Sequence, residues 1–195
     1  MKKIVLLIAI FGFTAITANA QKTKFGIKGG LNSSSLKATG SGATFTSDSK
    51  IGFYAGAFAS LSLSQNFGVQ PELLYSLLGA RYKYINTNIN RNLSYISVPV
   101  LGKYSKDGLE IVVGPQISFL VAAKDKGTNI SNDEKSQFKT TEVAGVIGAG
   151  YTTVSGFGFD ARYQLGLTDI LKNNSTGYKL KNNNFQFGIH YQLRH

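Results

Sequence analysis

Cysteine is absent from all 195 residues. That excludes disulfides, thiolate metal sites, a cysteine nucleophile and the lipidated cysteine of a bacterial lipoprotein. Exported chains in oxidising compartments often rely on disulfides, so stability here must come from elsewhere, and a closed hydrogen-bonded barrel is one source. Long apolar runs are also missing: beyond the first residues, no stretch approaches the roughly 20 apolar residues of a spanning helix. Acidic residues are scarce, with 10 Asp and Glu against 21 Lys and Arg and a formal charge of +11. No basic run is interleaved with stacking aromatics, so a nucleic-acid partner is not expected.

What is present begins with Met1-Lys2-Lys3, an apolar run over 4–13 and Ala18-Asn19-Ala20. A basic start, a short hydrophobic core and an Ala-x-Ala site describe a signal peptide over residues 1–20, leaving one domain over 21–195. An N-terminal membrane anchor is the alternative, although the run is short for a span.

Residues 157–167 set the pattern for the rest. Phe157, Phe159, Ala161, Tyr163, Leu165 and Leu167 fall on one side of an extended chain, while Gly158, Asp160, Arg162, Gln164 and Gly166 fall on the other. The same alternation predicts strands over 24–36, 50–64, 67–84, 92–104, 109–123, 140–153, 157–167 and 184–193. Tight connections (64–67, 106–108 and 154–156) alternate with long polar ones (37–49, 85–91, 124–138 and 171–183). Asp107-Gly108 is a strong hairpin signal, because both central turn residues need positive φ. An even strand count with short turns at one end and long loops at the other is the pattern of an outer-membrane barrel. The expected fold is therefore all-β: an eight-stranded antiparallel up-and-down transmembrane β-barrel.

One segment argues back. Leu73, Leu74, Leu77 and Leu78 follow Pro71 at helical spacing, yet the flanking strands and the short turn before it favour a strand. Pro71, Pro99 and Pro115 fall inside predicted strands, where each removes a ladder donor, so bulges or broken pairing are expected.

Several short pieces then carry a likeness. Phe25-Gly-Ile-Lys-Gly-Gly-Leu-Asn32, Val69-Gln-Pro-Glu-Leu-Leu-Tyr-Ser76, Tyr95-Ile-Ser-Val-Pro-Val-Leu-Gly-Lys-Tyr104, Gly114-Pro-Gln-Ile-Ser-Phe-Leu120 and Gly148-Ala-Gly-Tyr151 resemble the outer-membrane β-barrel family common in Bacteroidetes, which includes PorT-like proteins. The resemblance implies a Gram-negative outer-membrane location, insertion by the barrel-insertion machinery and, for PorT-like members, an envelope or secretion protein as partner. The chain departs from the family at two points. It ends Leu193-Arg194-His195 where such chains often close on an aromatic residue, and Ser97 stands where a carboxylate is common.

On the polar rows lie Lys28, Glu72, Lys103, Glu110, Glu142, Asp160, Arg162 and His190. Charges inside so small a barrel need partners, so these eight are expected to form an ion-paired network filling the lumen. A narrow polar pore for small solutes is the alternative. Leu74, Leu101, Val112 and Leu120 fall on the same rows and favour a filled interior. His190 with Asp160 or Glu142 could orient a base toward a serine, but no G-x-S-x-G segment accompanies them, so no catalytic residues are assigned. Neither metal nor cofactor is called for: the glycines around 148–150 and 156–158 precede no helix, and Asp125, Asp133 and Glu134 lack calcium-loop spacing.

The long connections hold Lys37, Arg91, Lys124, Lys126, Lys172, Lys179 and Lys181. Outer-membrane lipid, and the phosphates of lipopolysaccharide in particular, are the partners such residues would attract; plain solubility is the other reading. The expected function is non-enzymatic, structural or surface-interacting. A soluble periplasmic barrel with the oily rows turned inward around an apolar ligand remains the rival, since alternation alone does not say which face is inside.

Overall fold

The computed structural model describes residues 23–40, 43–84, 87–126, 131–133, 135–172 and 177–193. The expected signal peptide and the terminal Arg194-His195 lie outside them. Among the described residues there are ten strands: β1 (Thr23–Gly40), β2 (Ala43–Thr46), β3 (Lys50–Ser62), β4 (Phe67–Tyr84), β5 (Thr87–Lys106), β6 (Leu109–Lys126), β7 (Ser131–Asp133), β8 (Thr141–Thr152), β9 (Phe157–Gly166) and β10 (Lys179–Gln192). Eight long strands make the wall in the order β1-β3-β4-β5-β6-β8-β9-β10, and β10 pairs back onto β1 to close it. Closure leaves no backbone edge facing lipid, where an unmade hydrogen bond costs several kcal/mol. The short β2 folds back on β1, and β7 on β6, both at the loop end.

The oily rows face outward. Ile27, Ile51 and Ile189 are 60%, 70% and 57% exposed, whereas Leu101 and Glu142 on the polar rows are 0% and 1% exposed. That direction overturns the soluble barrel with an apolar interior. Among the described residues no helix is long and apolar enough to cross a membrane; the strands cross instead. The segment after Pro71 is strand, with Leu73 exposed and Leu74 and Leu78 buried. Alternation across the wall outweighs the local helical spacing.

At about 3.3 Å per residue and a tilt near 40°, 18 residues rise roughly 45 Å, against an apolar band of ~25 Å. β1, β4 and β6 have that length and β5 has 20 residues, so they continue well past the membrane. Much of what was expected to be loop is therefore strand: β5 begins at Thr87 rather than near 92, and β1 extends to Gly40. Above the membrane the outward face meets water, and the oily half of the alternation disappears there.

The prolines interrupt the ladders without shifting register. Pairing lapses between Phe58↔Glu72 and Leu61↔Val69, between Pro71↔Val100 and Leu74↔Ser97, and between Pro99↔Gln116 and Gly102↔Val113. The register shift recorded between β5 and β6 lies elsewhere, between Ser94 and Tyr95. At the opposite end of that hairpin, Asp107 and Gly108 take φ of 52° and 86°, as a two-residue primed turn requires.

Cross-strand Phe67–Tyr104 and Tyr151–Phe159 contacts, with centroids 5.1 and 6.1 Å apart, lie toward the turn end, where an interfacial girdle belongs. Tyr54 and Tyr95 point the other way: they are 1% and 0% exposed, inside the barrel.

Candidate functional site

Six inward side chains meet at mid-barrel. Lys28 Nζ donates to Asp160 Oδ1 at 3.1 Å and sits 3.9 Å from Glu72 Oε1. Arg162 Nη1 donates to Glu72 Oε2 at 2.8 Å; its Nε is 2.8 Å from Asp160 Oδ1, close in charge terms but too bent for a hydrogen bond. Gln70 Nε2 donates to Glu72 Oε1 at 2.7 Å, and His190 Nδ1 lies 3.3 Å from Asp160 Oδ2. Two cations and two anions from β1, β4 and β9 thus neutralise one another across the lumen. The Lys28 ammonium also lies 5.8 Å from the centre of the Tyr54 ring.

Toward the turn end a polar chain continues. His190 Nε2 is 2.9 Å from Thr152 Oγ1, which donates to Glu110 Oε1 at 2.9 Å, and Glu110 pairs with Lys103 at 2.6 Å. Among the described residues, Lys103 and Glu110 are thus joined to the central cluster through Thr152 and His190. Below them opens a polar vestibule of about 580 Å³ among the turns, lined by residues such as Asn66, Lys106 and Gln192. Above Glu110 the space shrinks to about 10 Å³ beside Lys28, Arg162 and His190. The hydroxyl–imidazole–carboxylate chain is a buried contact of the wall: its hydroxyl belongs to Thr152 and is already bound to a carboxylate.

Toward the loop end the hydrogen bonds run mostly between neutral groups, with the Lys50 ammonium donating to Asn92 Oδ1. Ser97 Oγ donates to Ser118 Oγ at 2.9 Å, where the resemblance would place a carboxylate. Asn32 receives the amides of Gln186 and Asn184 at 3.0 and 3.3 Å and donates to the Phe53 carbonyl at 3.0 Å. Glu142 does not join the ion pairs. It is buried beside the Tyr95 hydroxyl and the Asn182 amide, and no cation approaches it within 4 Å among the described residues.

An apolar lid closes the loop end. Leu36, Leu78, Leu93, Tyr95, Leu120, Phe138 and Ile170 form one buried cluster. Phe138 and Ile170 come from the long connections, which hold each other: Lys139 N donates to Ile170 O at 2.8 Å and Lys172 N to Gln137 O at 2.9 Å. Asp169 Oδ1 accepts the amides of Leu180 and Leu171 at 2.9 and 3.1 Å, and its Oδ2 faces Lys139 at 3.4 Å. Partial burial opposes its charge, but those two amides and Lys139 outweigh that and hold the carboxyl below the usual aspartate range. Periodicity could not reveal this lid, because its key residues stand singly in polar connections.

The expected loop cations are mostly strand residues. Lys37 is on β1, Arg91 on β5, Lys124 and Lys126 on β6, and Lys179 and Lys181 on β10, with Lys172 in the connection before β10. Arg91 makes a two-point pair with Asp125 at 2.9 and 2.6 Å and lies over the Phe138 ring at 5.2 Å. It serves the lid. The side chain of Lys126 lies outside the described residues.

Residues 19–172 match the family described as outer membrane protein beta-barrel domain. The chain belongs to that family. The match runs through β9, and the closing strand β10 lies beyond it. Among solved structures, neisserial surface protein A is 14% identical, with 87% of this chain and 97% of that one covered and a TM-score of 0.56. OprG of Pseudomonas aeruginosa is 14% identical over 89% and 97%, with a TM-score of 0.46. Ail of Yersinia pestis is 16% identical over 88% and 99%, with a TM-score of 0.45. At this identity the likeness to neisserial surface protein A is one of fold. No curated protein is significantly similar to the chain. The family description places this barrel in the Gram-negative outer membrane, in contact with its lipid.

Proposed function

We propose that this barrel passes no solute and acts through its outer surface as a structural or surface-interacting protein. The observation that carries the reading is the double seal: the Lys28–Asp160–Arg162–Glu72 cluster at mid-lumen and the apolar lid around Phe138 and Ile170 above it. A solute entering the vestibule would meet both. Breaking either means exposing buried charge or about nine buried apolar side chains, and neither happens without a ligand to offset it.

The test is conductance in planar bilayers. Purified, folded barrel should leave the membrane silent at neutral pH; steady unitary steps would establish the narrow-channel reading instead. The PorT-like resemblance supports a part in envelope assembly or secretion, exercised by holding a partner protein. Crosslinking from the turns and from the lid connections in intact envelopes tests that part, and it fails if neither face captures an envelope protein.

A further inference from the structure

The outer wall at the closing seam changes character stepwise. From mid-membrane upward the facing pairs of β1 and β10 are Leu31↔Phe187, Ser33↔Phe185, Ser35↔Asn183, Lys37↔Lys181 and Thr39↔Lys179. These residues share the outward row, because they lie two apart on each strand. On the other side of β1, the short β2 sets Thr46 beside Lys37 and Thr44 beside Thr39. The result is a patch of three ammonium groups and three hydroxyls, six residues or more above the last all-apolar pair.

Two features set the patch apart from a merely solvated surface. Lys37 and Lys181 stand directly opposite in the ladder, a like-charge arrangement that destabilises a sheet when nothing lies between the charges. No carboxylate comes within 4 Å of Lys37, Lys179 or Lys181 among the described residues. Asp169, whose Oδ1 takes the Leu180 amide, is bound to Lys139 instead. Arg91, at the same end of the barrel, is tied to Asp125.

We infer that Lys37, Lys179 and Lys181 form a seat for the phosphate of a phosphorylated glycolipid in the outer leaflet. The height argues for lipid over a dissolved anion. Lys37 lies four residues beyond Ser33, about 10 Å above the last ring of the apolar band at the strand's tilt. A lysine stem reaches back over several ångströms with its charge at the headgroup level. A phosphate between Lys37 and Lys181 removes the repulsion between them, Lys179 and the hydroxyls of Thr39, Thr44 and Thr46 complete the donors, and the acyl chains lie along Leu31, Phe185 and Phe187. The inference deepens the surface role proposed above by naming a partner; it depends on membrane placement and not on whether the lumen conducts.

The experiment uses the full barrel in detergent, exchanged into nanodiscs that contain either a bis-phosphorylated lipid A or its dephosphorylated form. The readout is lipid retained after delipidation, measured by native mass spectrometry. Lys37→Gln and Lys181→Gln should each lower retention of the phosphorylated lipid about fivefold. Lys37→Arg should retain it, and Lys124→Gln, away from the seam, should change nothing. A heat-modifiable gel shift confirms that each variant is folded. Equal retention by the wild type and the Lys37→Gln/Lys181→Gln double variant overturns the site. So does retention that ignores dephosphorylation, or displacement by millimolar inorganic phosphate, which would make it a seat for a dissolved anion. Bilayer conductance is read separately, so failure here leaves the sealed-lumen reading standing.

Discussion

Lys28 and Asp160, 132 positions apart, meet in mid-lumen with the ammonium donating to Oδ1 at 3.1 Å. The contact joins the first strand to the ninth across a space with no water-sized gap of consequence beside it. Because Arg162 and Glu72 complete the same cluster, removing one charge strands another.

Arg162→Met should therefore cost about 3–5 kcal/mol, the usual penalty for breaking a buried pair from one side. Glu72 loses its 2.8 Å partner and Asp160 one of its two cations. The double variant Arg162→Met/Glu72→Met should recover most of that loss, since Lys28 and Asp160 still balance. Urea unfolding in detergent micelles, followed by tryptophan-free near-UV absorption and gel shift, measures both; a double variant as weak as the single would show that the cluster is not the unit of stability.

Glu142→Gln should behave in the opposite sense. This buried carboxyl has no cation within 4 Å among the described residues, so a neutral amide of the same shape should raise stability by about 1–3 kcal/mol at neutral pH. A fall of similar size in the urea midpoint would mean that an ionised Glu142 is held by something the lumen supplies.

Two glycines should answer differently to the same methyl group. A Cβ at Gly158 would meet His190 Nε2 and the Tyr151 carbonyl, whereas one at Gly145 would meet nothing within 4 Å. Gly158→Ala should displace the imidazole and lower stability by about 1–3 kcal/mol through overpacking. Gly145→Ala should be neutral or add up to ~1 kcal/mol by stiffening the unfolded chain. Thermal gel-shift midpoints compare them side by side.

The lid should loosen in acid. Asp169 has its carboxyl held below the usual range, so its contribution is fully present above the ordinary aspartate value of about 3.9 and is lost as pH falls through its depressed folded value. Hydrogen exchange at the Leu171 and Leu180 amides should accelerate in that window. Asp169→Asn should exchange faster than the wild type above that window, match it below, and lose this added pH dependence.

The wall was legible because lipid imposes a strict period of two: Phe157 to Leu167 can be sorted by eye, and Asp107-Gly108 marks its own turn. Which inward residues meet was not legible. Period two places Lys28, Asp160 and Glu142 on inner rows alike, but the height at which each row crosses the lumen depends on strand stagger around the closed barrel. Lys28 and Asp160 come level; Glu142 sits elsewhere, beside Tyr95 and Asn182. The lid depends on Phe138 and Ile170, isolated in polar connections where no period exists.

The seam between the first and last strands has a consequence for biogenesis. Asn32 reaches its partners Asn184 and Gln186 over separations of 152 and 154 positions, so no shorter portion of the chain owns a dry interior. Until β10 docks, the polypeptide is a ribbon with one greasy stripe and one row of unmatched charges, unwelcome both in water and in lipid. It must reach the membrane escorted and then shut in one cooperative step, slowly, as sheets built from distant pairings do.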